Sequence, residues 1–187
     1  MYSKKIIWIG FVLMLLLQLW VPGAMIFNKE AVLKNGKAFK FRSAPVDPND
    51  PFRGKYIVLR LEAASFKPGP TQQWKRGETV YVQVAQDTAG FARIAELHKK
   101  MPVPADDMIK ATVDFVGYDS LKQVFITWPF ERFYMEESKA PEAEKVYIKA
   151  TADSNQQTYA LVKVQNGDAV LQNVFINDHP ISYYIKK

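Results

Sequence analysis

The chain has no cysteine. That excludes a disulfide framework, a thiolate zinc site, a cysteine nucleophile and a lipid-bearing N-terminal cysteine. Histidine is nearly as scarce, with only His98 and His179. Neither has a neighbour of metal-ligand or triad type, so no metal and no cofactor is expected. His98 lies in the charged stretch 96–100 and is expected to face solvent; His179 precedes Pro180 in a turn. No G-x-S-x-G, H-E-x-x-H, P-loop or dinucleotide fingerprint occurs. Long runs of one charge sign are missing too. The net charge of +6 is spread along the chain, whereas nucleic-acid binding wants a clustered basic stripe with aromatic platforms. A nucleic-acid partner is therefore not expected, and the basic excess reads as a solvated surface with mild attraction to anionic headgroups. With 24% charged and 48% hydrophobic residues in 187, disorder, a fibrous repeat and a multi-span membrane protein are excluded, and one sizeable core is possible.

Ile6–Phe27 carries no charged residue. As a helix it spans about 33 Å at about 1.5 Å per residue, against a hydrocarbon core of about 30 Å. Trp8 and Trp20 sit near its ends, where indoles favour the interface, and Lys4 and Lys5 precede it. A cleaved signal peptide is the competing reading, with a site near Gly23 or Ala24. Pro22 spoils the small-residue cleavage pattern and the apolar run exceeds a usual signal core, which favours a retained anchor. Lys29, Lys34, Lys37, Lys40 and Arg42 follow closely, so a strict positive-charge count opposes an exported domain. Long downstream domains translocate largely regardless of charge. The expectation is a single-pass anchor in the cytoplasmic membrane, residues 1–27, and an extracytoplasmic, periplasmic domain, residues 28–187.

The remainder reads as mainly β, a β-rich α+β fold: one antiparallel barrel or sandwich with about one short helix. Residues 37–43 alternate, with Phe39 and Phe41 on one face. In 56–62, Ile57, Leu59 and Leu61 share one face, while Tyr56, Val58 and Arg60 share the other. Strands are expected at 79–86, 91–97, 108–116 and 123–128. Asn166-Gly167 between the runs 158–165 and 168–174 predicts a two-residue type I′ hairpin, because both central positions need positive φ. A last short strand is expected at 181–185. The helix is expected at 141–151: Pro141 suits its first position, and Ala143, Val146, Tyr147 and Ala150 follow helical spacing.

The stretch 45–62, PVDPNDPFRGKYIVLRLE, resembles the GDYXXLXY family, membrane-anchored bacterial proteins without an assigned activity. Gly54, Tyr56 and Leu59 match the motif; Lys55 replaces its Asp and Leu61 its final Tyr. The apolar N-terminal segment also fits, as does Phe130-Glu131-Arg132-Phe133-Tyr134 with Glu137 after it. The resemblance implies an envelope protein that is one component of a membrane system. It carries over no catalytic residue, and Lys55 argues against an essential acid at that position.

Candidate binding residues fall in two places. In the loop before Tyr56, Asp47 and Asp50 suit a cation or a basic partner and Arg53 an acidic one. The spacing is not that of a calcium loop, since Phe52 and Val58 stand where Gly and Glu are needed. Asp and Asn before Pro are also turn formers, which is the plainer reading of this loop. Gly54 and Tyr56 complete the first group. Arg132, Tyr134 and Glu137 form the second. The carboxylates of 131–137 beside an Arg and a Tyr suit acid–base work if buried with shifted pKa values. The plainer reading is a surface salt-bridge cluster with Phe130 and Phe133 in the core. The leading expectation is a non-enzymatic assembly module, held in the membrane by Ile6–Phe27 and working with a membrane-protein partner. Two alternatives stay open. One is a signal-peptidase-like Ser/Lys hydrolase, resting on Lys75-Arg76-Gly77-Glu78 with Ser65. The other is a barrel for a small ligand, resting on an aromatic content of 13%.

Overall fold

The computed structural model describes residues 4–45, 56–69, 72–118 and 123–185. It opens on α1, Lys4–Asn35. This helix has 32 residues and so is about 48 Å long at about 1.5 Å per residue. It continues past the uncharged run through Lys29, Glu30 and Lys34, which the hydropathy boundary at Phe27 gave no reason to expect. Lys34 pairs with Glu30 at 3.2 Å, one helical turn away. From Ile6 to Phe27 the large apolar side chains are 43% to 77% exposed, an uncovered surface that water does not tolerate. The helix is long and apolar enough to cross a membrane.

The strands follow: β1 (Lys37–Arg42), β2 (Tyr56–Val58), β3 (Ser65–Phe66), β4 (Thr79–Gln86), β5 (Ala92–His98), β6 (Met108–Val116), β7 (Val124–Thr127) and β8 (Arg132–Tyr134). Then come α2 (Ala140–Ala152), β9 (Thr158–Gln165), β10 (Asp168–Ile176) and β11 (His179–Pro180). All ladders are antiparallel, ordered β1-β9-β10-β11, β2-β8 and β3-β7-β6-β4-β5. Isolated bridges Lys40–Phe91, Ser43–Leu61 and Ile109–Gly167 knit the three into a nearly closed barrel. The fold is thus the expected one: a β-rich domain after an apolar N-terminal helix, with one short helix besides.

Alternation decides what fills the barrel. Phe39, Phe41, Ile57, Leu59 and Leu61 are all buried, as their shared faces predict. Phe41 packs edge-on against Trp128 and Phe130, with ring centroids 5.3 and 5.0 Å away. These aromatics are core. Both residues of the Asn166-Gly167 turn have positive φ, 51° and 87°, as the type I′ reading requires. The strand expected at 181–185 is instead a 3₁₀ turn, Ile181–Tyr184. Ile181 and Ile185 are buried while Tyr183 between them is 69% exposed. In a strand, Tyr183 would share their face.

The barrel begins one residue after α1 ends. Gly36 donates its N–H to the Val32 carbonyl at 2.8 Å, and Val32 is the one buried residue of α1. Lys29 reaches Asp168 on β10 at 2.6 Å. A Cβ on Gly36 would stand 2.5 Å from the Val32 carbonyl oxygen and 3.1 Å from the Val164 main chain. The Gly36→Ala variant is therefore expected to lever α1 off β9, at a cost of about 1–3 kcal/mol. In detergent, trypsin should cut after Lys34 and Lys37 faster than in the parent; an unchanged rate would show that the junction tolerates the methyl.

Candidate functional site

β2 and β8 pair Tyr56 with Tyr134, Ile57 with Phe133 and Val58 with Arg132. With side chains alternating, Ile57 and Phe133 turn inward, and Tyr56, Val58, Arg132 and Tyr134 share the outer face. The tyrosine rings lie 5.5 Å apart, centroid to centroid. The Arg132 guanidinium sits diagonally over the Tyr56 ring at 4.9 Å, a cation–π contact. The Tyr134 hydroxyl, then the Tyr56 hydroxyl, hold Arg132 above the ordinary guanidinium range, so it is a permanent cation. Tyr134 is 64% exposed. The result is a fixed, outward-facing cation between two phenols, suited to a carboxylate, a phosphate or an acidic aromatic-bearing surface.

The structure therefore brings together Tyr56, Arg132 and Tyr134. Glu137 stands exposed in the segment leading to α2. Asp47, Asp50, Arg53 and Gly54 lie outside the described residues, as does Lys55. The motif positions divide by role: Leu59 and Leu61 are core, whereas Tyr56 faces outward. Direction follows from pairing. β1 runs away from α1, and residues 61 and 62 lie antiparallel to it, Leu61 opposite Ser43 and Glu62 donating its N–H to the Arg42 carbonyl. Going back from Leu61 to Tyr56, the chain leads away from the anchor.

A second feature lies at that same pole. Arg42, Pro45 and Glu62 from one side and Thr151, Asp153, Asn155 and Gln157 from the other frame a polar cleft of about 380 Å³. Sequence reasoning missed it. The only local signal was the Asp-Ser-Asn turn after α2, where Asn155 donates its N–H to Asp153 Oδ1 at 2.9 Å. Ser43 and Thr158, at 8% and 4% exposure, line the cleft. The Thr158 hydroxyl has no hydrogen-bond partner among the described residues. The Ser43 hydroxyl lies beside the Tyr147 phenol without a well-formed bond; burial pushes that phenol up to about 12, and Ser43 and the Arg60 main chain partly offset the shift.

The hydrolase reading finds no assembled dyad. Ser65 accepts a hydrogen bond from Gln123 Nε2 at 2.7 Å. The Lys75 N–H donates to Glu78 Oε2 at 3.1 Å in the turn before β4, where Gly77 has φ of +78°. No hydrogen bond joins Lys75 to Ser65. His98 is partly exposed. It lies on β5 with its side chain 27% exposed and Nε2 sealed, 3.6 Å from Glu96. Glu96 shares its face of β5, and Leu97 between them turns into the core. Among the described residues no group of three His, Asp or Glu side chains is placed to hold a metal ion.

Among the described residues Glu131 is the one acidic group held off its usual range by burial. Desolvation raises it, the Trp128 N–H that it accepts at 2.8 Å opposes the rise, and Asp114 adds to it. A carboxyl raised in the folded state binds its proton more tightly there than when unfolded, so stability falls as pH climbs from the ordinary carboxyl value through the folded one. Glu131→Gln keeps an acceptor for Trp128 and has no charge to desolvate. It should flatten this part of the pH–stability curve and raise the denaturation midpoint at pH 7 more than at pH 4. An equal gain at both would show that the buried charge is not what costs stability.

Comparison with known proteins agrees with the motif. No curated protein and no solved structure matches the chain. The sequence profile of the GDYXXLXY protein family matches residues 18–174. That match runs from within α1 to β10 and takes in Tyr56, Arg132, Tyr134 and the cleft, so the chain belongs to the GDYXXLXY family.

Proposed function

We propose that this protein is a membrane-anchored envelope module without catalytic activity. It holds a β domain at a fixed height above the bilayer and presents the Tyr56–Arg132–Tyr134 face to a protein partner. The observation that carries this reading is the junction at Gly36. An exposed apolar helix passes into the barrel with no linker, and Val32, Gly36 and the Lys29–Asp168 pair dock it. A freely diffusing enzyme or binding protein has no use for such a junction. Lys4 and Lys5 stay cytoplasmic and the barrel is extracytoplasmic, in line with the signal-anchor pattern. The face lies toward the pole remote from the anchor, so the partner meets it with a soluble portion.

Arg132 and Tyr134 are exposed, and their loss should leave the fold intact. Arg132→Ala and Tyr134→Ala, each in the full-length tagged protein, should reduce co-purification of a membrane partner by roughly tenfold, the weight of a hot-spot residue of about 1.4 kcal/mol or more. Circular dichroism should be unchanged. Undiminished capture by both variants would remove this face as the contact.

The cleft supports a second reading, a site for a small neutral polyhydroxylated molecule, carried by the buried, unpartnered Thr158 hydroxyl. Thr158→Val keeps the shape and removes that hydroxyl. It should be neutral or slightly stabilising in the free protein and should lose any small molecule seen by native mass spectrometry. A marked destabilisation would mean that the hydroxyl serves the fold.

A further inference from the structure

The segment between β5 and β6 forms an apolar tip. It reads Lys99-Lys100-Met101-Pro102-Val103-Pro104. Val103 is 96% exposed and Met101 36% exposed. On a water-facing loop such a residue covers nothing and gains nothing.

Its position is fixed by three contacts. Met101 Cε and Sδ lie against Gly167, at the tip of the β9–β10 hairpin. The next residue, Asp168, pairs with Lys29 of α1 at 2.6 Å. At the other end of the loop, Asp107 pairs with Lys37 at the start of β1, also at 2.6 Å. Lys29 lies two residues beyond Phe27, so the level at which α1 leaves the hydrocarbon is only about 3 Å below it along the helix. The headgroup layer on each face is about 5–8 Å deep, from a total of about 40–45 Å around a core of about 30 Å. The hairpin tip and Met101 therefore stand at headgroup level.

The charge at this pole agrees. Lys29, Lys34, Lys37 and Lys99 have side chains 50% to 70% exposed, and Lys100 is exposed beside them. The acidic groups Asp168, Asp107, Glu30 and Glu78 are each held by one of these lysines, which lessens their repulsion of lipid phosphates, and Asp106 is exposed in the same loop. Lysines beside a short apolar projection suit the boundary between phosphate and acyl chain.

We infer that the loop Met101–Pro104 is a second membrane contact. Val103 and Met101 enter the interfacial layer of a bilayer containing anionic phospholipid, beside the exit of α1, while Lys99 and Lys100 meet the phosphates. The inference rests on the anchor reading above. With two points of contact the barrel cannot swivel about α1, and the opposite pole is held up toward solution.

The lack of native cysteine makes the test clean. Leu13→Cys, Val103→Cys and Asn155→Cys each give one nitroxide label on the full-length protein, in vesicles of phosphatidylethanolamine and phosphatidylglycerol. Accessibility to oxygen and to a water-soluble nickel chelate then reads depth. The expected result is Leu13 in the acyl region, Asn155 in water, and Val103 at the interface, several-fold less open to the chelate than Asn155. Val103 as open as Asn155, with Leu13 in lipid, would overturn the loop contact and leave the anchor standing. Leu13 in water would overturn the anchor itself.

Discussion

Everything about the geometry depends on a helix with an uncovered apolar surface, long enough to cross a membrane, being joined to a barrel with one residue between them. That residue is Gly36. Its missing side chain lets the turn close on the Val32 carbonyl while the Val164 main chain approaches. A longer, flexible connection would let the barrel tumble above the membrane. Here α1 sets the direction of β1, β1 sets β9, and the hairpin of β9 and β10 returns to touch α1 through Asp168. The docking is narrow, a single buried valine with a few polar contacts, so its precision comes from close backbone approach and not from buried area.

The barrel then separates two poles. Near the anchor lie the type I′ turn, the loop from 101 to 107 and most of the paired lysines. At the far end of β1 lie Ser43, Thr158 and the cleft, with the chain from Leu61 back to Tyr56 leading further on. β9 alone has eight residues, about 24 Å at about 3.4 Å per residue. The two poles are thus well separated.

Much of the fold was legible because its signals are local. Strands β4, β6 and β9 are read from alternation to the residue, and Asn166-Gly167 fixes its hairpin through φ alone. Short elements were not legible. Three residues in β8 hold barely one period of alternation, and nothing local says that Arg132 pairs across from Val58. Half of the candidate site was visible for the same reason. Tyr56 was placed outward by alternation with Ile57, but its meeting with Arg132 and Tyr134 depends on a register set 76 residues apart in one ladder. The cleft was invisible, since a loop after α2 and the end of β1 share no sequence signal. The 3₁₀ turn was misread because Ile181, Tyr183 and Ile185 satisfy alternation equally well; burial of the two isoleucines without the tyrosine decides it.

The side chains at and just before β8 differ sharply in their surroundings. Arg132, like any arginine, is charged at ordinary pH, so it can bind an anion but cannot exchange a proton there. The adjacent Glu131 does hold its proton unusually well, yet its oxygen accepts the Trp128 N–H and it lies beneath the outer face, not on it. The two neighbours in sequence thus differ in surroundings: Arg132 on β8 is exposed, and Glu131 just before the strand is half-buried against the Trp128 N–H. The outer face of β2 and β8 carries one exposed cation against two phenols, held by the register of a three-residue ladder.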